Sequence, residues 1–322
     1  MKIVLITGAT GFLGGYLVGE FAAHGYSVIA AGRNKLRLAE LAGRRVQTLE
    51  ASLEDLAKLT LDVDFVVHAA ALSTVWGNWQ DFYKNNVEGT KHVLKFCTRN
   101  GVKRLVYVSS PSVYARAADM LNVTEDEVNP NNNLNNYIRS KIAAEKYLRG
   151  HADSLVVILR PRGLIGAGDT SIAPRLVQAN KVFGIPLSNN GQNLVDLTCV
   201  ENVALACRLG IEAPRAAGNT YNISNGTPLP MKSLCEQLFA ALNQKPRFRS
   251  RNASFLYAVD SVVEFSYKLL RIETEPPITR YTVTTLAYSQ TLSIDRARQD
   301  LGYAPIVSIT EGIKRYAEAT HA

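Results

Sequence analysis

Tyr137 and Lys141 are the side chains of this sequence whose types and spacing best suit proton transfer. They lie four positions apart in a stretch predicted to be helical, residues 134–149, so both project from one face of that helix. An ammonium group close to a phenol favours the phenolate and lowers the pKa of the phenol. A tyrosine tuned in this way can donate a proton to a carbonyl oxygen, or accept it back in the reverse direction.

A tyrosine and a lysine at this spacing occur often by chance, so a third polar group is needed to make the pattern specific. Ser110 follows an apolar run, residues 104–109, that is typical of a buried strand. A hydroxyl at the carboxyl end of such a strand can donate a hydrogen bond to a substrate oxygen and hold it beside the phenol. Pro111 and Ser112, which follow directly, are candidates for contact with the substrate.

A glycine-rich segment near the start of the chain is typical of a dinucleotide site. The apolar strand 3–7 runs into Thr7-Gly8-Ala9-Thr10-Gly11-Phe12-Leu13-Gly14, and an amphipathic helical pattern continues to residue 23. Such glycines permit a tight turn, a close approach of the pyrophosphate and close helix packing. The helix N-terminus favours the negative charge. We therefore predict that six residues of this loop bind the dinucleotide: Gly8, Thr10, Gly11, Phe12, Leu13 and Gly14.

The end of the second predicted strand indicates which dinucleotide is bound. An acid there would hydrogen-bond the adenosine ribose hydroxyls and select NAD, but this chain has Gly32 and Arg33. Arg33 can pair with a 2′-phosphate, so we predict NADP(H), with NAD(H) as the alternative if Arg33 is merely solvated. Ala69 and Ala70 leave room for a cofactor ribose after the fourth strand. The preceding His68 is interpreted as a structural or cofactor-neighbouring residue rather than a base.

These residues must be positioned by alternating strands and helices. Helical patterns, notably 81–100 and 134–149, alternate with apolar runs at 3–7, 27–31, 46–50, 65–69, 104–109 and 155–159. This alternation predicts an α/β protein with a Rossmann-type, doubly wound parallel sheet. We predict a dinucleotide-binding domain over residues 1–160. A smaller mixed substrate-binding region would occupy residues 161–322, with some elements, such as 200–213, packing back on the sheet.

Composition disfavours several functional classes. The 322 residues include 36 Lys and Arg against 28 Asp and Glu, a net charge of +8, and the dispersed cations argue against a nucleic-acid partner. Four cysteines without CxxC spacing predict buried thiols in a reducing compartment, and we expect no metal site. The chain runs from its first two residues straight into a strand, without a signal peptide, so we expect a cytoplasmic protein.

The longest apolar helical candidate, residues 254–270, is predicted to be amphipathic rather than transmembrane. Asp260, Glu264 and Lys268 recur at four-residue spacing and define one polar stripe. Three placements stay open for it: on a membrane surface, over a substrate pocket, or packed on the protein surface.

The candidate pocket residues are apolar. They are Leu72, Trp76, Leu164, Ile165 and Phe183, each of which could equally belong to the core. As a set they suit an alkyl or sterol-like molecule better than a nucleotide sugar.

The chain resembles the extended short-chain dehydrogenase/reductase family over nearly its whole length. The glycine loop matches the TGxxGxxG of that family, Tyr137 and Lys141 match its YxxxK, and Ser110 matches its catalytic serine. Residues 86–90 match its NVxGT segment, in which the Asn ties neighbouring elements together. Other segments, among them 110–113, 159–162 and 275–280, are similar to the 3β-hydroxysteroid dehydrogenase-like branch. Within that branch they most resemble the bacterial 2-alkyl-3-oxoalkanoate reductases of olefin biosynthesis.

This resemblance implies an NADPH-dependent oxidoreductase that interconverts a 3-oxo group and a secondary alcohol. The substrate would be hydrophobic, either a 2-alkyl-3-oxoalkanoate (a β-keto acid) or a 3-ketosteroid-like compound. Ser110 would orient the carbonyl, Tyr137 would protonate it, and Lys141 would tune Tyr137 while binding the nicotinamide ribose. The resemblance further implies a homodimer through helices 81–100 and 134–149, and it is compatible with membership of a biosynthetic enzyme assembly.

Two other functions stay open. A sugar-nucleotide epimerase would hold NAD and regenerate it without net turnover, although Val113-Tyr114-Ala115 departs from the Val-Tyr-Gly usual in such enzymes. A non-catalytic dinucleotide-binding regulator would have no need of the serine, tyrosine and lysine.

Overall fold

The computed structural model describes residues 1–152, 155–270, 272, 274–276 and 279–321, and for Lys268 it describes the backbone alone. Residues 277 and 278 of the segment 275–280 therefore lie outside the described residues. The Lys268 side chain of the predicted polar stripe does so too.

Strands and helices alternate along the first half of the described chain. The strands are β1 (Ile3–Thr7), β2 (Ser27–Gly32), β3 (Val46–Glu50), β4 (Phe65–His68), β5 (Arg104–Val108), β6 (Met120–Val123), β7 (Val156–Pro161), β8 (Leu164–Ile165), β9 (Ile185–Leu187), β10 (Leu194–Val195), β11 (Thr198–Cys199), β12 (Thr220–Ile223), β13 (Leu229–Pro230), β14 (Phe248–Ser250) and β15 (Gln290–Leu292). The helices are α1 (Phe12–Ala23), α2 (Lys35–Leu41), α3 (Leu53–Leu56), α4 (Trp79–Phe82), α5 (Gly89–Arg99), α6 (Asn136–His151), α7 (Ile172–Val182), α8 (Val200–Glu212), α9 (Met231–Ala241), α10 (Ala253–Leu269), α11 (Arg280–Ala287), α12 (Asp295–Leu301) and α13 (Ile309–His321).

Parallel strands form the central sheet of the described residues, in the order β3-β2-β1-β4-β5-β7-β12. The order reverses between β1 and β4, so the loops at the carboxyl ends of these two strands diverge and leave a crevice. This topology confirms the Rossmann-type, doubly wound α/β fold that the alternation of elements predicts.

Helices cover both faces of the sheet, which explains why its strands are continuous apolar runs. On one face α1 and α8 bring Phe21 and Val203 into the core, and on the other α5 and α6 bring Phe96 and Leu148. All four side chains are fully buried. Burial of each such side chain stabilises the fold by about 1.5–3 kcal/mol, so these two layers fix the helices on the sheet.

Elements after residue 161 belong to two structures. β12 extends the central sheet beside β7, and α8 covers one face of it. The other strands of this region form a mixed sheet with β6 from the first half of the chain, in the order β13-β10-β15-β6, and the strand pairs β11-β8 and β14-β9. These surround a separate core that contains Ile185, Phe239 and Ile313. The central sheet therefore crosses residue 160, and a division into domains at that point stays a prediction.

The helical pattern predicted at 81–100 begins earlier and is irregular. It starts at Trp79, where the Asn78 side chain accepts a hydrogen bond from Asp81 N at 2.9 Å and caps α4. Between α4 and α5 the backbone widens into a π-helix, Tyr83–Glu88. Such wide turns occur frequently at functional sites.

Helix α10 packs through its polar stripe rather than its apolar face. Asp260 and Glu264 are both 5% exposed, and Glu264 accepts hydrogen bonds from Arg280 N and Nε at 2.7 and 2.9 Å. Phe255 and Phe265, by contrast, are 65% and 67% exposed. The start of α11 supplies Arg280 as the partner of Glu264, whereas Asp260 Oδ2 is buried without a hydrogen-bond partner among the described residues. No helix in the described ranges has both the length and the apolar character needed to cross a bilayer.

Candidate active site

The glycine loop after β1 contains contacts that leave no room for side chains. Gly8 has φ = +73°, and a Cβ there would lie 2.7 Å from Ala70 N. A Cβ at Gly14 would lie 2.1 Å from Gly8 O. Helix α1 is therefore pressed directly against the loop, which itself touches the end of β4. The spacing of these glycines follows from this packing.

The N-terminus of α1 is suited to hold an anion. Gly11 is the N-cap of the helix and carries no side chain that could bond the free N–H groups of the first turn. Those N–H groups and the helix dipole attract phosphate oxygens. Gly8, Thr10, Ala69 and Ala70 line the same cavity as this helix end. The residues present therefore fit the pyrophosphate of a dinucleotide.

Arg33 stands on the wall of this cavity at the end of β2. It is exposed, and it forms no ion pair or hydrogen bond with any other residue that the structure describes. A Cβ on the preceding Gly32 would lie 3.0 Å from Thr10 Cγ2, so β2 approaches the glycine loop closely here. The guanidinium of Arg33 is thus available to a phosphate group near the adenosine ribose.

Ser110, Tyr137 and Lys141 line the same cavity. Ser110 follows β5 and caps a short 3-10 helix, Pro111–Tyr114, while the other two residues lie in the first turns of α6. Asn135 caps α6 by accepting a hydrogen bond from Ile138 N at 2.8 Å. The sheet end and the helix start therefore bring the three predicted catalytic residues to one place.

Lys141 is held in a fixed position by β5. Its Nζ donates hydrogen bonds to Val108 O at 2.9 Å and to Tyr107 Oη at 3.3 Å, and the residue is only 2% exposed. Burial lowers the pKa of Lys141 to about 8, and the carboxylate of Glu145 opposes part of this effect. The same Nζ lies 5.9 Å from the centroid of the Tyr137 ring, which places a cation beside the phenol.

The expected lowering of the Tyr137 pKa is wrong for this structure. Burial raises the pKa of the phenol, and hydrogen bonding with Ser110 opposes only part of that rise. The ammonium of Lys141 does not reverse it, because its hydrogen bonds go to Val108 and Tyr107. A phenol that keeps its proton is the form that can protonate a carbonyl oxygen.

The hydroxyl of Ser110 also keeps a proton to donate. Its Oγ accepts a hydrogen bond from Ser112 N at 3.2 Å, which uses a lone pair and leaves the O–H to bond Tyr137 or a substrate oxygen. Phe82 packs edge-on against Tyr137, with ring centroids 6.4 Å apart, and restrains the plane of the phenol. Two O–H donors therefore face the cavity beside each other.

A buried ion pair holds α6 against the sheet. Glu145 accepts hydrogen bonds from Arg160 Nε at 2.9 Å, from Arg160 Nη2 at 2.6 Å and from Ser109 Oγ at 2.5 Å. Burial alone would raise the pKa of Glu145, but Arg160 and Ser109 outweigh it and the pKa is lowered. Tyr137, Lys141 and Glu145 follow one another at four-residue spacing, so this pair sets the position of the whole face.

Asn86, within the π-helix, joins the loop after β4 to α6. Its Nδ2 donates to Leu72 O at 3.0 Å and to Ser140 Oγ at 2.9 Å, and its Oδ1 accepts from Leu72 N at 2.7 Å. This agrees with the role that the family resemblance implies for the Asn of the NVxGT segment.

His68 is a buried structural residue. Thr90 Oγ1 donates to Asn86 O at 2.6 Å, so it must accept from His68 Nε2 at 3.1 Å, and His68 Nδ1 then accepts from Thr7 Oγ1 at 2.7 Å. This network assigns the neutral tautomer with the proton on Nε2. Burial lowers the pKa of His68 to about 3. Its one lone pair is already bonded, which removes it as a base.

Beyond the serine and tyrosine the cavity continues into an apolar part. The whole cavity has a volume of about 1470 Å³, larger than the ~300–1,000 Å³ typical of one small-ligand site. It therefore has room for a hydrophobic molecule beside a dinucleotide. Predicted substrate contacts on its wall are Leu72, Pro111, Leu164 and Phe183. Further apolar residues on the wall are Leu176, Ile185, Met231 and Leu234.

Three predicted substrate contacts lie away from the cavity wall. Ile165 is buried in the core of the smaller region, because β8 pairs with β11 and directs it there. Ser112 is 1% exposed within its 3-10 helix. Trp76 packs edge-on against Tyr267, and its Nε1 donates to Ile272 O at 3.2 Å.

Arg162, Asp196 and Tyr281 are among the polar residues on the wall to which the sequence patterns gave no role. The first two do leave a signal, since Asp196 is flanked by apolar residues and Arg162 directly follows an apolar strand and its Arg-Pro end, where charges are rarely buried without a function. For Tyr281 the sequence contains no such signal, because only the packing of α11 brings this residue to the cavity.

Known proteins similar to this chain cover most or all of its length. A family model described as the NAD dependent epimerase/dehydratase family matches residues 4–224. A 2-alkyl-3-oxoalkanoate reductase of Stenotrophomonas maltophilia is 36% identical over 100% of both chains. A 3beta-hydroxysteroid-dehydrogenase/decarboxylase of Arabidopsis thaliana is 33% identical over 84% of this chain and 51% of its own. The solved structure of a UDP-glucuronic acid 4-epimerase from Bacillus cereus in complex with NAD shares the fold, with a TM-score of 0.77, 20% identity and 99% coverage of each chain.

Proposed function

Because the chain belongs to the NAD-dependent epimerase/dehydratase family, we propose that it is an NADPH-dependent reductase that interconverts a 3-oxo group and a secondary alcohol on a hydrophobic substrate. It is an oxidoreductase of the extended short-chain dehydrogenase/reductase type. The proposed substrate is a 2-alkyl-3-oxoalkanoate, with a 3-ketosteroid-like compound as the alternative. The observation that carries the proposal is one cavity that joins the glycine loop, the serine, tyrosine and lysine, and an apolar wall.

The arrangement supports a separate role for each of the three polar residues in the reduction. A bound nicotinamide dinucleotide would supply the hydride. Ser110 and Tyr137 would donate hydrogen bonds to the carbonyl oxygen of the substrate and stabilise the negative charge that develops there. Tyr137 would then pass its phenolic proton to this oxygen, and the nearby Lys141 cation would stabilise the phenolate that remains.

The choice of a hydrophobic 3-oxo substrate rests on two supports. The wall beyond Tyr137 consists largely of aliphatic side chains such as Leu176 and Leu234, which favour alkyl chains over the polar groups of a nucleotide sugar. A relative that matches the whole chain also carries the name 2-alkyl-3-oxoalkanoate reductase.

The proposed preference for NADPH rests on Arg33. It stands where an acid would select NAD, and the structure describes no partner that neutralises it. The fold relative from Bacillus cereus contains NAD, so comparison of Michaelis constants is the decisive measurement. A lower constant for NADH than for NADPH would contradict this part of the proposal.

The proposed function can be tested by following NADPH oxidation against 3-oxo acids, 3-ketosteroids and UDP-sugars. We expect stoichiometric consumption of NADPH with a 3-oxo acid. Tyr137→Phe should lower kcat by about 10²–10⁴-fold, because the general acid is lost. It should leave the dissociation constant for NADPH almost unchanged, because the phenol contributes little to the glycine loop. Full activity in this variant would contradict the assignment of Tyr137.

The same panel distinguishes the two other functions. An epimerase would interconvert a UDP-sugar with bound NAD and no net consumption of cofactor. A regulator would bind NADPH and turn over nothing on the panel.

We further propose that the protein is a cytoplasmic homodimer, able to work within a biosynthetic enzyme assembly. Helices α5 and α6 pack side by side on one face of the sheet, so their outer surfaces form a continuous area for pairing. Sedimentation equilibrium would reveal the expected dimer, and a monomer at micromolar concentration would contradict it.

A further inference from the structure

Arg162 is a buried cation whose guanidinium pairs with none of the residues that the structure describes. It follows β7 directly, is 7% exposed, and lies on the cavity wall. Its Nε has no hydrogen-bond partner, and within the described ranges the guanidinium forms no ion pair. Burial lowers the pKa of Arg162, which reports how poorly this charge is solvated. Removal of a charge from water without a counter-ion is strongly unfavourable, so a group that pairs with Arg162 would stabilise this part of the protein.

The acid whose charge acts on Arg162 does not form an ion pair with it in the described part of the chain. Asp196 lies on the same wall, but its Oδ2 accepts a hydrogen bond from Leu292 N at 2.7 Å and its Oδ1 is buried without a partner. The two charges lower each other's energy at a distance, and each keeps unused hydrogen-bonding capacity. Arg162 and Asp196 therefore both keep polar atoms that no described residue bonds.

Arg162 lies at the same edge of the sheet as Ser110. Strands β5 and β7 are paired with Val108 opposite Leu159, so Ser110 and Arg162 both follow the carboxyl ends of adjacent strands. Both residues line the cavity together with Tyr137. A molecule whose carbonyl oxygen is bound by Tyr137 would therefore place a neighbouring substituent beside Arg162. In a 3-oxo acid, the carboxylate is separated from the ketone by a single carbon atom.

We propose that Arg162 binds the carboxylate of the substrate and makes the protein a reductase of 3-oxo acids rather than of neutral ketones; this inference rests on the reductase function proposed above. The planar fork of a guanidinium matches the two oxygens of a carboxylate, and the pair is strong in a water-poor site. A phosphate dianion fits less well, because Asp196 would repel the second charge.

The pairing sets both affinity and orientation. With the carboxylate at Arg162 and the ketone at Tyr137 and Ser110, the alkyl chains extend toward the apolar wall of Leu176 and Leu234. An ester or a ketone without the acid leaves the guanidinium unpaired in a buried site, and its binding is weaker for that reason.

The experiment compares a 2-alkyl-3-hydroxy acid with its methyl ester, both oxidised by NADP⁺, because these alcohols are stable in solution. The wild type should prefer the acid by about 30-fold or more in kcat/KM, as expected for a buried charged pair. Arg162→Met should lower kcat/KM for the acid by a similar factor and change that for the ester by less than about threefold. Arg162→Lys, which keeps the charge but not the fork, should fall between the two.

The matched control is Arg175→Met. Arg175 also lines the cavity, but it is half exposed and already paired with Glu275 at 3.1 Å. Its replacement should leave the acid-to-ester ratio unchanged. Equal values of kcat/KM for acid and ester in the wild type would overturn the inference, and so would loss of the ratio in Arg175→Met rather than in Arg162→Met.

Calorimetry separates this inference from the proposed function. The hydroxy acid or its ester is titrated into each protein in the presence of NADPH. Because the hydroxy compound and NADPH are both in the reduced form, no hydride transfer occurs during the titration. Tighter binding of the acid that disappears in Arg162→Met and is partly kept in Arg162→Lys supports the role of Arg162, whatever the activity. Equal binding of acid and ester overturns it. A wild type that binds the acid through Arg162 but oxidises neither compound with NADP⁺ or NAD⁺ contradicts only the reductase function.

Discussion

Burial of ionisable groups is the dominant electrostatic feature around the cofactor crevice. It lowers the pKa of Lys141 to about 8 and that of His68 to about 3, and it raises the pKa of Tyr137. Each shift favours the neutral form of the group, as desolvation requires. For Tyr137 the result is a proton available for transfer, and for His68 it is a neutral ring that bridges two threonines.

His68 predicts a specific sensitivity of the fold to acid. The unfolded chain protonates this histidine below its ordinary pKa of 6.5, whereas the folded chain does so only near pH 3. Between these values the unfolded state binds more protons, so stability is lost as the pH falls. His68→Gln should be less stable than the wild type at pH 6.5. This difference should shrink by about 2–3 kcal/mol at pH 4.5, as measured by urea unfolding. A difference that is the same at both pH values would contradict the neutral assignment.

Arg33 predicts the basis of cofactor preference. Arg33→Ser should lower kcat/KM for NADPH by about 10–100-fold, because a charged hydrogen bond to the 2′-phosphate is lost. The value for NADH should change little. Arg37→Ser is a suitable control, since Arg37 is also exposed nearby but pairs with Glu40 at 2.9 Å. Equal losses with NADPH and NADH in Arg33→Ser would argue against a phosphate contact.

Six strands of the central sheet, β1 to β5 and β7, could be predicted from sequence, because each is specified locally, whereas none of the predicted apolar runs covers β12. The apolar runs predict β1 and β3 with their observed ends, and the amphipathic pattern predicts α1 from Phe12 to Ala23. The glycine loop and the Tyr-x-x-x-Lys spacing are equally local. That is why these parts of the site are also recognisable before the fold is known.

The elements that could not be predicted depend on distant partners. Strand β6 is four residues long and pairs with β15, which lies far along the chain. The orientation of α10 depends on Arg280, which meets Glu264 and turns the polar stripe inward. The lack of a partner for Arg162 Nε among the described residues likewise depends on the folded cavity, because it is set by which side chains the fold brings within hydrogen-bonding distance.

The junction of β1 and α1 predicts opposite effects for two adjacent glycines. Gly14→Ala would place a Cβ 2.1 Å from Gly8 O, and should lower the free energy of unfolding by about 1–3 kcal/mol or more while abolishing NADPH binding. Gly15→Ala meets no atom within 4 Å, and should raise that free energy by about 0.5–1 kcal/mol, because alanine favours helix. Urea unfolding and cofactor titration measure both effects. A neutral Gly14→Ala would show that the loop can move away from α1.

At the scale of the whole molecule, the central sheet joins the two halves of the chain. Strand β7 is completely buried between β5 and β12, and α8 contributes Val203 and Ile211 to the core that β1 also enters. The cavity is likewise lined from both halves, from Gly11 to Tyr281. Separation at residue 160 would therefore expose an edge strand and half of one core layer.

The fragment 1–160 should consequently not fold by itself. We expect it to lack a near-UV circular dichroism signal and a cooperative thermal transition, whereas the full chain should unfold in one transition. A fragment that unfolds sharply, or a full chain with two well-separated transitions, would instead establish the predicted division into two domains.

The four cysteines are placed so that their accessibility reports the local unfolding of different core layers. Cys207 of α8 lies in the core layer between this helix and the sheet, and Cys97 of α5 lies in the layer on the opposite face. Cys199 and Cys235 lie in the core of the smaller region. All four are fully buried, and burial raises the pKa of every one of these thiols. Only an exposed thiolate reacts with alkylating reagents. The rate at which each cysteine is alkylated therefore reports how often the layer that buries it opens. The order in which the four thiols are alkylated then gives the order in which these layers open during unfolding, and no cysteine has to be introduced for the measurement.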